Sequence, residues 1–148
     1  MKQKLNCVLL IDDDEPTNFF SKMLIEELDC AEQIQVAESG QAALKYLTQS
    51  VKSNNDNNDF SRPDIIFLDI NMPAMNGWEF LNRYNDLDSK HKGKMVIVML
   101  TTSLNPDDKL KAFENPDISK FETKPLTAEK LKRILQEYFP DYFLKPAI

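Results

Sequence analysis

Three uninterrupted apolar runs punctuate the chain: Cys7 to Ile11 (CVLLI), Ile65 to Leu68 (IIFL) and Met95 to Leu100 (MVIVML). Each ends abruptly in polar residues. A continuous run of four to six apolar residues bounded by turn formers is the pattern of a strand buried on both faces, as in the middle of a parallel sheet. Two weaker segments, Ile34 to Ala37 and Ile118 to Glu122, complete a set of five strands. Between them apolar residues recur at helical spacing: Phe20, Met23, Leu24 and Leu28; Ala43, Leu44 and Leu47; Trp78, Phe80, Leu81 and Tyr84; Leu110 and Phe113; Leu131, Ile134, Leu135 and Tyr138. Start signals precede most of these stripes. Asp14 or Glu15 with Pro16 opens the first helix, Asn76 the third, Asn105-Pro106-Asp107 the fourth and Thr127 the last, which Pro140 closes.

Five strands alternating with five helices predict an α/β fold. Right-handed crossovers place the helices on both faces of one doubly wound, five-stranded parallel sheet. At 148 residues and 42% hydrophobic content, the chain suits a single domain over 1–148 with its core at about 6–139. Ser50 to Asp59 (SVKSNNDNND) is almost without apolar residues and reads as a solvated loop within about 50–62. It lacks the glycine and the closing Glu of a calcium loop. The segment 140–148 reads as a short tail, too small for an output domain.

The formal charge of −6, with no dense basic cluster, argues against direct nucleic-acid binding. No apolar run approaches the roughly 18 residues of a membrane span, and the polar start is unlike a signal peptide, so a cytoplasmic protein is expected. The two cysteines, Cys7 and Cys30, fit reduced core thiols. His91, the single histidine, lies among Lys and Asp residues in a polar loop and reads as solvated.

In a parallel sheet all strands point one way, so the residues just past their ends gather on one rim. Those residues are Asp12 and Asp13, Asp69, Thr101, and Lys124. Asp69 is too far ahead of the helix near Asn76 to be only its cap. Clustered carboxylates repel one another unless a cation is bound, and an all-oxygen donor set without His or Cys points to a hard divalent ion, Mg²⁺. An acceptor carboxylate, a hard metal, an ammonium and a hydroxyl together suit phosphoryl transfer with Asp69 as acceptor.

The motifs LLIDDDEP, FLDINMPAMNG, VIVMLTT and FETKP, in that order from about Cys7 to Phe139, resemble the receiver domain of two-component response regulators, here a stand-alone receiver like the chemotaxis regulators. The resemblance implies the flavodoxin-like strand order 2-1-3-4-5. It implies that Asp69 takes a phosphoryl group from a sensor histidine kinase or a histidine phosphotransfer protein. It further implies that Asp12, Asp13, Asp69 and the backbone carbonyl of Asn71 hold Mg²⁺, that Thr101 and Lys124 bind phosphoryl oxygens, and that the Lys124–Pro125 bond is cis. Phe121, three places before the lysine, occupies the family's aromatic switch position with Thr101; Asn71 and Ser103 occupy positions that tune hydrolysis. Such a protein is a switch and not an enzyme. It signals to a downstream protein through the surface formed by the Asp107 helix, the Ile118 strand and the last helix, as a monomer or a phosphorylation-promoted homodimer. The chain departs from the family pattern at Thr102, where a smaller residue is usual, at Phe121, which lacks a tyrosine hydroxyl, and at ENPDISKF, which lacks a Gly-Ala turn. Two other readings are weighed: a pseudo-receiver that binds partners without phosphorylation, and an aspartate-nucleophile phosphatase. The second lacks the Gly-Thr after its D-x-D and any acidic motif after Lys124.

Overall fold

The computed structural model describes residues 4–52, 62–87, 95–102 and 104–141. In chain order the elements are β1 (Leu5–Ile11), α1 (Glu15–Leu28), β2 (Ala31–Ala37), α2 (Gly40–Lys52), β3 (Ile65–Leu68), α3 (Gly77–Asn85), β4 (Val96–Thr101), α4 (Pro106–Glu114), β5 (Lys120–Thr123) and α5 (Ala128–Tyr138). All strand pairs are parallel and the order is β2-β1-β3-β4-β5, as expected.

The continuous apolar runs have the cause inferred for them. Successive strand residues point to opposite faces, and both faces are covered. Leu9, Ile11, Ile66, Leu68, Ile97 and Met99 face one core with Ala43 and Leu47 of α2 and Phe80, Leu81 and Tyr84 of α3. Val8, Leu10, Ile65, Phe67, Val98 and Leu100 face the other, with Ile25 of α1 and Leu131, Ile134 and Leu135 of α5. Fully burying one such side chain contributes about 1.5–3 kcal/mol, so the central strands hold the sheet rigid beneath its rim.

Helix starts fall where the capping signals lie. Asp14 accepts from the Thr17 N–H, Asn105 from Asp107 and Thr127 from Lys130. Asn76 and Glu79 form a reciprocal capping box. Both cysteines are buried and unbridged, and burial pushes the Cys7 thiol up to about 11. No helix among the described residues is long and apolar enough to cross a membrane.

Several expectations need correction. The inward face of α1 is Asn18, Ser21 and Ile25, with Leu24 and Leu28 partly packed; Phe20 is exposed beside Phe19. Two polar residues on the buried face displaced the apparent apolar stripe by about a third of a turn. On α4 the buried residue is Ala112, while Leu110 and Phe113 are 56% and 88% exposed. Helix α2 continues through Ser50 to Lys52, so the loop read from Ser50 does not begin there; 53–61 lie outside the described residues, as do His91, Ser103 and 142–148. Strand β5 starts at Lys120 and not Ile118, because Asn115 builds a turn in place of Gly-Ala. Its side-chain oxygen accepts from the Asp117 N–H at 2.8 Å, and its carbonyl from Ile118 at 3.1 Å.

Candidate functional site

The rim assembles as strand ends in register. The Asp69 N–H donates to the Ile11 carbonyl at 3.0 Å, Asp12 to Ala37 at 3.1 Å, and Lys124 to Thr101 at 2.8 Å, so each residue is fixed by its neighbour's backbone. Asp12, Asp69 and Thr101 are buried; Asp13 is exposed at the lip. The Lys124–Pro125 bond is cis.

The Lys124 ammonium lies between two carboxylates, 2.6 Å from Asp12 Oδ2 and 3.3 Å from Asp69 Oδ1, with all three side chains largely withdrawn from solvent. Burial alone would lower the lysine pKa. The hydrogen bond to Asp12 and the charges of Asp12 and Asp69 outweigh it and hold the ammonium above its ordinary value. Burial, then the neighbouring Asp12 charge, push the Asp69 carboxyl up, against the opposing pull of Lys124 and of the Asn71 N–H.

One carboxylate oxygen each from Asp12, Asp13 and Asp69 lie within 4.8 Å of one another. That donor set fits a hard cation: the oxygens converge, and three carboxylates against one ammonium leave two negative charges for a divalent ion to balance. Asn71 is exposed two residues beyond Asp69. Phe121 on β5 is half-buried against the core that lies under α2 and α3. Thr102 is exposed.

Two residues of this rim were not singled out from sequence. Gly77, the first residue of α3, donates its N–H to the Ile70 carbonyl at 2.7 Å and has no room for a side chain: a Cβ would lie 2.5 Å from the Asp69 carbonyl oxygen. Asn18 donates its side-chain amide to the Asp12 carbonyl at 2.8 Å. In the sequence Gly77 reads only as a turn former beside the Asn76 cap, and its close approach to the Asp69 carbonyl is visible in the fold alone; Asn18 carried only its polarity within a helix.

A family model of the response regulator receiver domain matches residues 8–136. The probable methanogenesis regulatory protein FilR2 of Methanothrix harundinacea is 29% identical over 93% of this chain and 83% of its own length. A probable cyclic di-GMP phosphodiesterase of Vibrio cholerae is 31% identical over 89% of this chain, which spans only 26% of that protein. Among solved structures, a two component response regulator from Cytophaga hutchinsonii superimposes with a TM-score of 0.81 at 33% identity, covering 93% of this chain and 99% of its own. Receiver domains are generally non-enzymatic switches in phosphorylation-dependent signalling; they interact with histidine kinases or phosphotransfer proteins and typically bind Mg²⁺ in an acidic pocket. With the receiver model matching residues 8–136 and the fold superimposing on a solved response regulator, this chain belongs to the family of response regulator receiver domains.

Proposed function

We propose that this receiver is a switch that accepts a phosphoryl group on Asp69 from a phosphohistidine of a sensor kinase or phosphotransfer protein. The observation that carries the reading is the Lys124 ammonium held between the buried carboxylates of Asp12 and Asp69 at the ends of adjoining elements. An Asp69 carboxylate oxygen attacks phosphorus, the P–N bond breaks with its electron pair passing to the imidazole, and an acyl phosphate remains on Asp69. Asp12, Asp13, Asp69 and the Asn71 carbonyl would hold Mg²⁺, which when bound neutralises charge on the phosphoryl oxygens.

Lys124 turns from its carboxylate partners to a phosphoryl oxygen, and the Thr101 hydroxyl donates to another. Rotation of Thr101 frees space that Phe121 fills by moving inward. That ring borders a groove of about 570 Å³ between α4 and β5, also lined by Leu110 and Phe113. Two exposed apolar side chains beside a movable ring suit a protein partner that reads α4, β5 and α5. Asn71 and Ser103 tune hydrolysis of the acyl phosphate. On this reading the protein works in the cytoplasm, where a sensor kinase presents its phosphohistidine.

Intact mass after incubation with acetyl phosphate tests the reading. Wild type gains one phosphoryl mass only with Mg²⁺, and Asp69→Asn gains none. Label on Asp69→Asn, or no label on wild type from either acetyl phosphate or a histidine kinase, overturns it.

A further inference from the structure

Asn18 is the fourth residue of α1 and one of two polar residues on that helix's buried face, the other being Ser21. A buried amide costs stability unless it is hydrogen-bonded, and an aliphatic side chain would pack this helix at least as well. Its bond explains its presence. The Asn18 Nδ2 donates at 2.8 Å to the backbone carbonyl of Asp12, inside the protein and away from competing water.

That carbonyl belongs to the peptide plane joining Asp12 to Asp13. A peptide unit is rigid, so holding its oxygen restrains ψ of Asp12 and, with it, the position from which the Asp13 side chain leaves the chain. The Asp12 carboxylate is fixed independently, accepting from the Asp14 N–H at 2.9 Å and from Lys124. Asn18 therefore restrains one backbone rotation, ψ of Asp12, that sets where Asp13 is placed relative to the Asp12 carboxylate. The helix itself is anchored there, since the Asn18 N–H donates to the Asp14 carbonyl at 3.1 Å. A cavity of about 10 Å³ lies alongside, lined by Asp12, Asn18, Ser21 and Asp69, so the contact is a polar strut beside a small gap and not tight packing.

We infer that Asn18 is a positioning residue for the divalent cation site: by holding the Asp12–Asp13 peptide it sets the affinity of the rim for Mg²⁺. The inference rests on the proposed reading of Asp12, Asp13 and Asp69 as the cation's ligands. Residues that orient ligands in this way typically govern about 10- to 100-fold in metal affinity.

The test is Mg²⁺ titration by calorimetry, with thermal unfolding in EDTA, on wild type, Asn18→Leu, Asn18→Ala and Ser21→Ala. Asn18→Leu fills the space and Asn18→Ala leaves it open, so their melting temperatures in EDTA differ. Both lack the donor, so both weaken Mg²⁺ binding about 10-fold or more. Ser21→Ala alters packing on the same face and leaves the Mg²⁺ constant unchanged. Affinity that tracks melting temperature across the set, or an Asn18→Leu protein that binds Mg²⁺ as wild type does, overturns the role of Asn18 while the proposed function stands. A wild type that binds no Mg²⁺ overturns both.

Discussion

Gly77→Ala isolates the contact that holds the end of β3 against the start of α3. An added Cβ would lie 2.5 Å from the Asp69 carbonyl oxygen, 3.0 Å from the Ile70 Cα and 3.3 Å from the Asp69 carbonyl carbon. All three are backbone atoms, which cannot swing aside as a side chain can. Reaching even the shortest separation real Cβ atoms tolerate requires a shift of about 0.5 Å, in an interior packed as densely as an organic crystal. Overpacking of this kind costs about 1–3 kcal/mol, against a helix-propensity gain for Ala of up to about 1 kcal/mol that is smaller at a first-turn position. A net loss of about 1–2 kcal/mol lowers the melting temperature by about 2–8 °C for a domain of this size. Because the strained atoms belong to Asp69 itself, acetyl phosphate labelling slows as well. Gly40→Ala is the control. Its Cβ would meet Met75 Sδ at 2.5 Å and Met75 Cγ at 3.0 Å, atoms of one flexible side chain, so the loss is smaller. Circular dichroism melts and a labelling time course by intact mass read both effects. A Gly77→Ala protein that melts at or above wild type and labels at the wild-type rate refutes the reasoning.

Other perturbations follow from single contacts. Lys124→Ala strands two buried carboxylates and destabilises by about 3–5 kcal/mol in EDTA by urea unfolding, with Mg²⁺ restoring part of the loss; equal midpoints would show the ion pairs to be inert. Ala74 sits at φ 67° in the loop after Asp69, a region that glycine enters without steric cost, so Ala74→Gly raises the unfolding free energy by up to about 1 kcal/mol, read as a higher urea midpoint, and a lower midpoint contradicts the strain. Asn76→Ala removes one half of the capping box and costs about 1 kcal/mol in the same assay; no loss would mean water caps α3 equally well.

Sequence alone carried the elements that one physical signal dominates. β1, β3 and β4 are buried on both faces, so continuous apolar runs marked them, and Asn76 and Thr127 announced their helices because side-chain caps are local. The rim followed from topology, since a parallel order brings Asp12, Asp69 and Lys124 together wherever the intervening loops run. The failures have the opposite cause. On α1 the face was misassigned because Asn18 and Ser21 are inside for what they touch, and on α4 because Leu110 and Phe113 face outward. A periodicity argument assumes that apolar means buried, and both helices break that assumption next to the rim or the α4–β5 groove. The ion-pair geometry of Lys124 and the close approach at Gly77 depend on distances below 4 Å between segments remote in sequence, which no pattern encodes.

The raised Asp69 pKa makes the proposed acceptor carboxylate a stability liability with a defined pH signature. Burial and the Asp12 charge disfavour its ionised form in the fold, so the unfolded chain gives up the proton more readily. Below the ordinary carboxylate range, near about 3.9, Asp69 is protonated in both states and costs nothing. As pH rises from there through the higher folded value, the native state loses stability relative to the unfolded one, and the deficit is complete above that folded value. Lys124 works the other way: its raised pKa stabilises the fold at all pH below the ordinary lysine range, near about 10.4, and that contribution is lost as pH rises through the folded value. Asp69→Asn removes the liability yet leaves Lys124 its shorter ion pair, to Asp12 at 2.6 Å. In EDTA the variant melts above wild type at pH 7, and the gap narrows as pH falls toward 4. A variant less stable than wild type at pH 7, or a gap that widens in acid, would mean that the Lys124–Asp69 attraction outweighs burial, and the acceptor would be a structural anchor instead of a poised nucleophile.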